Sequence, residues 1–241
     1  MAGADEIPQS SELAPGPGFR IRAKFERPDF EVVDRFRAID IALVSDLMNR
    51  MYTLRWGLRS IVPTADGAPL IGPACTVKVY PGDNLMVHAA LDHAEPGDVI
   101  VVDTAGASTT AVLGDMVTAK AKARGIAGFV VDGLVRDVDA MLSVGLPVFA
   151  RGVTPRGPLH RGPGELNYSI SCGGVSVDPG DVVMAGADGV VIVPRAAAAE
   201  LVTRAENKTA KEEEYVAAVH RGDFSNQWVA DMLNANQCVF E

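Results

Sequence analysis

The stretch from residue 99 to residue 150 most constrains what this chain can fold into. Short runs of β-branched residues alternate there with segments of helical periodicity. Val99–Val102 reads as a buried strand, and a loop over Asp103–Leu113 leads into a helix over Gly114–Arg124 that Gly125 caps. Ala127–Val131 is the next strand, followed by the polar segment Asp132–Asp137. A helix over Val138–Val144 and a strand over Pro147–Ala150 complete a βαβαβ series. Such a series predicts an α/β fold with parallel pairing and right-handed crossovers.

The flanking segments extend this frame. Phe36–Tyr52 carries Ile39, Leu43, Leu47 and Met51 on one helical stripe, with an interruption expected near Val44–Asp46, where Ser or Asp can cap a new turn. Ala74–Tyr80 alternates as a strand, Pro81–Asn84 is a turn, and Asn84–Ala94 returns to helical spacing. Gly152–Glu165 is crowded with Pro, Gly and Arg and reads as a surface excursion. Strands follow at Tyr168–Ile170, Val175–Val177, Val182–Met184 and Gly189–Pro194, and Arg195–Arg221 forms a long helix. The element Pro-Gly-Asp-Val occurs at Pro96 and again at Pro179, which predicts one turn-to-strand geometry used twice. The division expected is a flexible arm over 1–28, one domain over 29–222, and an apolar tail over 223–241 that packs on its own or another subunit.

Composition narrows the class of function. The 241 residues are 48% hydrophobic and 22% charged, and the formal charge is −9. That balance argues against nucleic acid as a partner, because phosphate contacts need clustered Lys and Arg. The three cysteines, Cys75, Cys172 and Cys238, are too far apart for a zinc site and read as reduced thiols. There is no signal-peptide pattern and no run of about 18 apolar residues, so a cytoplasmic protein without membrane contact is expected.

The strongest chemical candidates are Gly114-Asp115 and, after twenty intervening residues, Arg136-Asp137. Both pairs fall where strands hand over to helices, at the end of a parallel sheet that binds ligands. Free N–H groups of residues 114–117 at a helix N-terminus suit a carboxylate, Arg136 offers a planar fork, and Asp137 is a hard oxygen ligand for Mg²⁺ or Mn²⁺. Helix N-termini also favour Asp as a plain capping residue, so the residues alone leave both readings open. His88 and His93 are five apart rather than four, and Ser108 and Thr109 lack a nucleophile elbow. Arg151, Arg156, His160 and Arg161 form a local basic cluster, read as a solvated loop or as a patch facing substrate or another subunit.

The segments HAALDHAEPGDVIVVD, GDMVTAKAKARG and VVDGLVRDVDA, within Pro81–Met141, together resemble the class II pyruvate aldolases of the RraA-like fold. These are the 4-hydroxy-4-methyl-2-oxoglutarate and 4-carboxy-4-hydroxy-2-oxoadipate aldolases, which share their fold with the regulator of ribonuclease activity A. Asp115, Arg136 and Asp137 meet the family's D-x20-R-D pattern, and PGDVV and DGVVIVP recur at Pro179–Val183 and Asp188–Pro194. The likeness spans roughly residues 35–222; Met184–Asp188 departs from it by carrying fewer acidic residues than many relatives.

The resemblance implies a β/β/α sandwich of swivelling-domain type with a long C-terminal helix, assembled as a homotrimer or homohexamer. It implies a lyase that releases pyruvate from 4-hydroxy-2-oxo acids and decarboxylates oxaloacetate, using Mg²⁺ or Mn²⁺. Gly114, Asp115, Met116 and Val117 would bind the small 2-oxo acid substrate, with Arg136 on its oxygens. Asp137 would be the direct metal ligand, Asp115 would act through water, and Glu212 would reach the site, also through water, from a neighbouring subunit. The alternative the same resemblance allows is a protein-binding regulator of ribonuclease activity.

Overall fold

The alternation of strand and helix produces the parallel sheet it predicts. In the computed structural model, which describes residues 13–55 and 57–239, strands β3 (Leu70–Val79), β4 (Val99–Asp103), β5 (Gly128–Val135) and β6 (Val148–Val153) lie side by side. Each runs parallel to the next. Helices α3 (Leu85–His93), α4 (Asp115–Ala123) and α5 (Val138–Val144) make the crossovers. Val87, Ala90, Val117, Ala121 and Met141 from these helices join Ile100, Val102, Phe129 and Val131 of the sheet in one buried cluster. Each large aliphatic side chain so buried contributes about 1.5–3 kcal/mol, which makes this face the seat of the fold. β2 (Arg59–Val62) pairs antiparallel to β6 at one edge. At the other edge β7 (Gly164–Leu166) runs antiparallel to β3, and β1 (Phe19–Ile21) is parallel to β7.

Strand β3 is long enough to belong to two layers. Ala74–Lys78 pair with β4, whereas Leu70–Pro73 pair with β10 (Val182–Gly186), which is hydrogen-bonded in turn to β11 (Gly189–Val193). A separate hairpin joins β8 (Ile170–Cys172) to β9 (Val175–Val177). Val99, Val101 and Val130 pack against Val177, Val183 and Ile192 in a second core. A third core lies between the β10–β11 pair and helices α1 (Phe30–Arg35), α2 (Ile41–Leu47) and α6 (Ala198–His220). The result is the expected β/β/α sandwich with a long C-terminal helix. The two Pro-Gly-Asp turns share one geometry: Asp98 accepts from the Glu95 N–H at 2.8 Å and Asp181 from the Asp178 N–H at 2.9 Å.

Several segments differ from the sequence expectation or sharpen it, among them the strand expected at Tyr168–Ile170, which is β8 at Ile170–Cys172. The helix expected over Phe36–Tyr52 is instead a 3₁₀ turn over Phe36–Ala38, continuing from α1, and then α2; the break falls at Ile39–Asp40 and not near Val44–Asp46. Asp40 is extended and its carboxylate accepts from the Leu43 N–H at 3.0 Å, so it starts α2, which stops at Leu47 and leaves Met51 75% exposed. β5 continues past Val131 to Val135, with a shift in register against β6 between Val131 and Leu134. The N-terminal arm contains strand β1, fixed by an ion pair of Arg20 with Glu165 at 2.7 Å; its residues 1–12 lie outside the described residues. In the tail, α7 (Gln227–Ala235) buries none of its residues, so it does not pack into its own chain's core; residues 240–241 lie outside the described residues. Among the described residues no helix is long and apolar enough to cross a membrane.

Burial separates the cysteines chemically. Cys75 and Cys172 are buried, and desolvation pushes both thiols well above their ordinary range, whereas Cys238 is exposed. Native protein treated with a thiol-reactive disulfide reagent is therefore expected to label rapidly at Cys238 alone, with Cys75 and Cys172 reacting only after denaturation. Fast labelling of either in the native state would contradict the packing.

Candidate active site

Two loops at the carboxyl ends of β4 and β5 are held together by backbone. Ala111 forms a parallel bridge with Leu134, the Val112 N–H donates to the Leu134 carbonyl at 3.0 Å, and the Arg136 N–H donates to the Leu113 carbonyl at 3.1 Å. This ladder brings Gly114 against Arg136 and Asp137 even though twenty residues separate Asp115 from Arg136. A Cβ built on Gly114 would stand 2.4 Å from Asp137 Oδ2 and 3.0 Å from Arg136 Cγ. Glycine is required there by close approach and not by its backbone angles, which are extended (φ −153°, ψ −157°).

Asp137 itself adopts the left-handed conformation (φ 58°, ψ 43°) as the residue capping α5, at a cost of roughly 1–2 kcal/mol for a non-glycine residue. Its carbonyl accepts from the Met141 N–H at 2.9 Å, and its carboxylate meets Arg136 Nε at 3.1 Å, with both side chains partly open to solvent. Strain of this kind, sustained by surrounding hydrogen bonds, is common where a side chain must be aimed.

These residues line a cleft of about 450 Å³ together with Asp115, Met116, Val117, Asn84, His88 and His160. All six sequence-predicted residues, Gly114, Asp115, Met116, Val117, Arg136 and Asp137, are thus in one place. Glu212 is elsewhere, on the exposed part of α6 and paired with Lys208 at 3.5 Å. One detail of the amide array differs from expectation. The Met116 N–H is taken by the carboxylate of Asp115 at 2.7 Å, so the N–H groups of Gly114, Asp115 and Val117 are those without a protein acceptor among the described residues.

Asn84 and His88, which sequence reasoning did not connect with Asp115 and Arg136, also line this cleft, as does His160 of the basic cluster read as a solvated loop or a patch facing substrate or another subunit. Asn84 and His88 are one helical turn apart at the start of α3, a spacing that puts them on one face; His88 belongs with Asn84 and not with His93. The loop carrying His160 folds back over the cleft because buried Asp83 accepts from the Arg161 N–H at 2.6 Å, while the Asn84 N–H donates to the Leu159 carbonyl at 3.0 Å. A Cβ on Gly157 would lie 2.6 Å from Arg136 Nη1, so the same loop also covers the guanidinium. The His88 and His160 rings meet edge to face at 5.7 Å. Burial, then the charges of Lys120 and His160, hold the His88 pKa below its ordinary value.

Asp115 and Asp137 bring hard oxygens to the cleft, the donor type of which Mg²⁺ and Mn²⁺ take one or two while keeping water or substrate oxygens for the rest. Among the described residues no group of three or more His, Cys, Asp and Glu side chains is arranged to hold an ion.

A family model described as RraA-like, Aldolase/RraA, matches residues 41–192. A Halalkalibacterium halodurans protein named "Putative 4-hydroxy-4-methyl-2-oxoglutarate aldolase" is 40% identical over 185 residues, covering 77% of this chain and 87% of that protein. The fold is similar to Streptomyces coelicolor RraAS2, titled an unusual member of the RNase ES inhibitor RraA protein family. That similarity has a TM-score of 0.72 and 32% identity, over 80% of this chain and 98% of the other. An uncharacterized Pseudomonas syringae protein matches with a TM-score of 0.72 and 29% identity, over 83% of this chain and 97% of that one.

The Gly114 contact gives a direct test of the geometry. In Gly114→Ala the new methyl displaces the Asp137 carboxylate while the cores, none of which contains Gly114, remain packed. The expected result is a melting temperature within a few degrees of the parent and, for a site that holds Mg²⁺ or Mn²⁺ through Asp137, a loss of that binding by calorimetry. Unchanged metal affinity would show that the contact does not set the position of Asp137.

Proposed function

The chain belongs to the RraA-like, Aldolase/RraA, family, and from that premise we propose that it is a divalent-metal-dependent aldolase. It cleaves 4-hydroxy-2-oxo acids of the 4-hydroxy-4-methyl-2-oxoglutarate type to pyruvate and decarboxylates oxaloacetate. The observation that carries this reading is the convergence of Asp137, Arg136 and the α4 N-terminus on one cleft, at a glycine where any side chain would displace the Asp137 carboxylate. A regulator that acts by protein contact has no need of two carboxylates and an arginine drawn together inside a concave site.

The substrate is an anion, and the chain's charge of −9 opposes it. Local positive potential therefore has to come from the site. The N–H groups of Gly114, Asp115 and Val117 receive the carboxylate of the 2-oxo acid end. The Arg136 guanidinium faces the 2-oxo oxygen, where negative charge collects as the bond between C3 and C4 breaks. Gly157 lies against the Arg136 guanidinium, and Pro158 of the same loop lines the cleft. Asp137 would hold Mg²⁺ or Mn²⁺ directly and Asp115 through water. When bound, the ion supplies a Lewis acid for the carboxylate and keto oxygens of the substrate. Oxaloacetate loses CO₂ with the same charge development on the 2-oxo oxygen, which is why one site serves both reactions.

Assembly as a homotrimer or homohexamer belongs to the same reading. Beyond its first two turns α6 buries nothing, and Tyr215, Val216, Val219, Trp228 and Met232 are exposed along it and α7. Glu212 lies on this arm and would enter a neighbour's site through water. The likeness to RraAS2 favours a second reading, a protein-binding regulator of ribonuclease activity that uses the same exposed arm.

Asp137→Ala separates the two. For the aldolase it is expected to reduce Mg²⁺-dependent pyruvate release by 100-fold or more, measured by coupling to lactate dehydrogenase, with the fold retained. Turnover that survives this substitution, or a parent protein inactive on these substrates with and without Mg²⁺, would leave the regulator as the better account.

A further inference from the structure

Asn84 and His160 form a pair whose chemistry fixes more than position. Asn84 is buried, and its side-chain Nδ2 donates to the Val112 carbonyl at 2.9 Å. A carbonyl oxygen only accepts, so the amide NH₂ has to face Val112 and the amide oxygen has to face the other way. That oxygen, Oδ1, lies 2.6 Å from His160 Nδ1. It too can only accept, so Nδ1 carries the proton and Nε2 of the neutral ring keeps its lone pair.

The ring is also held in place. The backbone on either side of it is tied to the Asp83-Asn84 turn, through the Leu159 carbonyl and N–H on one side and the Arg161 N–H on the other. His160 lines the cleft with Arg136 and Asp137, and its loop lies against the Arg136 guanidinium through Gly157. Burial, then the charges of Lys120 and His160, hold the pKa of the neighbouring His88 ring below its ordinary value, which disfavours a second positive charge beside His160.

We propose that His160 Nε2 is the proton acceptor for the 4-hydroxyl group in aldol cleavage, with Asn84 as the positioning residue that, by accepting from Nδ1–H, leaves the lone pair of the neutral ring on this nitrogen. The inference rests on the aldolase reading above and adds a residue to it. Nε2 takes the hydroxyl proton, and the O–H electron pair becomes the carbonyl of the departing oxo acid. The C3–C4 bond breaks, and its electron pair moves to C2–C3 and onto the 2-oxo oxygen beside Arg136. C3 then takes a proton from water and His160 returns its own to water, so two oxo acids leave and nothing is oxidised or reduced. Oxaloacetate has no 4-hydroxyl proton to remove, so its decarboxylation does not call on His160.

The test measures kcat/KM with Mg²⁺ for pyruvate release from 4-hydroxy-4-methyl-2-oxoglutarate and for oxaloacetate decarboxylation, in the parent protein and in His160→Ala and His160→Asn. The ratio of aldol cleavage to decarboxylation is expected to fall by about 100-fold or more in both variants, the range for loss of a general base. A proportional loss of both activities, or an unchanged ratio, overturns the role of His160. A parent protein that performs neither reaction overturns the aldolase reading instead. Nitrogen-15 NMR of the parent's histidine side chains gives a readout independent of turnover. His160 protonated on Nδ1 is expected, and His160 protonated on Nε2 overturns the proposal.

Discussion

The backbone ladder between Ala111–Leu113 and Leu134–Arg136 is the constraint on which the cleft depends. Parallel strands leave their carboxyl ends as loops, and two neighbouring loops have no intrinsic reason to hold a fixed distance. Here β5 runs past the end of β4 and pairs with the incoming loop, so the loop's last residues behave as a short additional strand. That places the first turn of α4 and the cap of α5 in van der Waals contact, and Gly114 is the residue that makes such contact sterically possible. The aim of Asp137, its ion pair with Arg136 and the free amides of α4 all follow from this single approach.

The opposite wall of the cleft is built from a different source. Asp83 and Asn84 are buried polar residues at the entrance to α3, and each satisfies a segment of the 156–161 loop. Polar groups taken out of water at a cost of about 1–3 kcal/mol each have to find partners, and those partners here are the loop's backbone and the His160 ring. A segment rich in Pro, Gly and Arg thereby becomes an ordered wall. An acidic chain thus concentrates positive and proton-handling groups where an anion would enter.

Much of this was legible in the sequence, for reasons that can be named. Val99–Val102 and Val138–Val144 carry their periodicity locally, so their elements were found almost to the residue. Asp132 and Gly133 interrupt an apolar run, which hid the extension of β5 as far as Val135; only pairing with β6 and with the loop at Ala111 keeps that segment extended. The break before α2 turned on one capping carboxylate, Asp40, among several that could serve. At the site, the spacing of Asp115 from Arg136 and Asp137 singled out residues that share one cleft, because both pairs lie at strand-to-helix junctions. His160 was visible only as one member of a basic cluster, open to reading as a solvated loop or as a patch facing substrate or another subunit. Its link to Asn84 spans 76 positions, and no local pattern reports a contact of that kind. The fold's family was carried by several short motifs acting together, and the match over residues 41–192 bears it out.

The shared strand β3 has a mechanical consequence. Its first residues belong to the β10 layer and its later ones to the main sheet, so the two layers are joined by covalent chain as well as by packing. Neither layer can separate from the other without bending or breaking that strand. Gly72, where an added Cβ would lie 2.1 Å from the Gly97 carbonyl oxygen, sits near the crossover and presses it onto the turn that starts β4. The sandwich therefore behaves as one cooperative unit, with β3 as its hinge pin, and the cleft at the end of β4 and β5 inherits the rigidity of both layers.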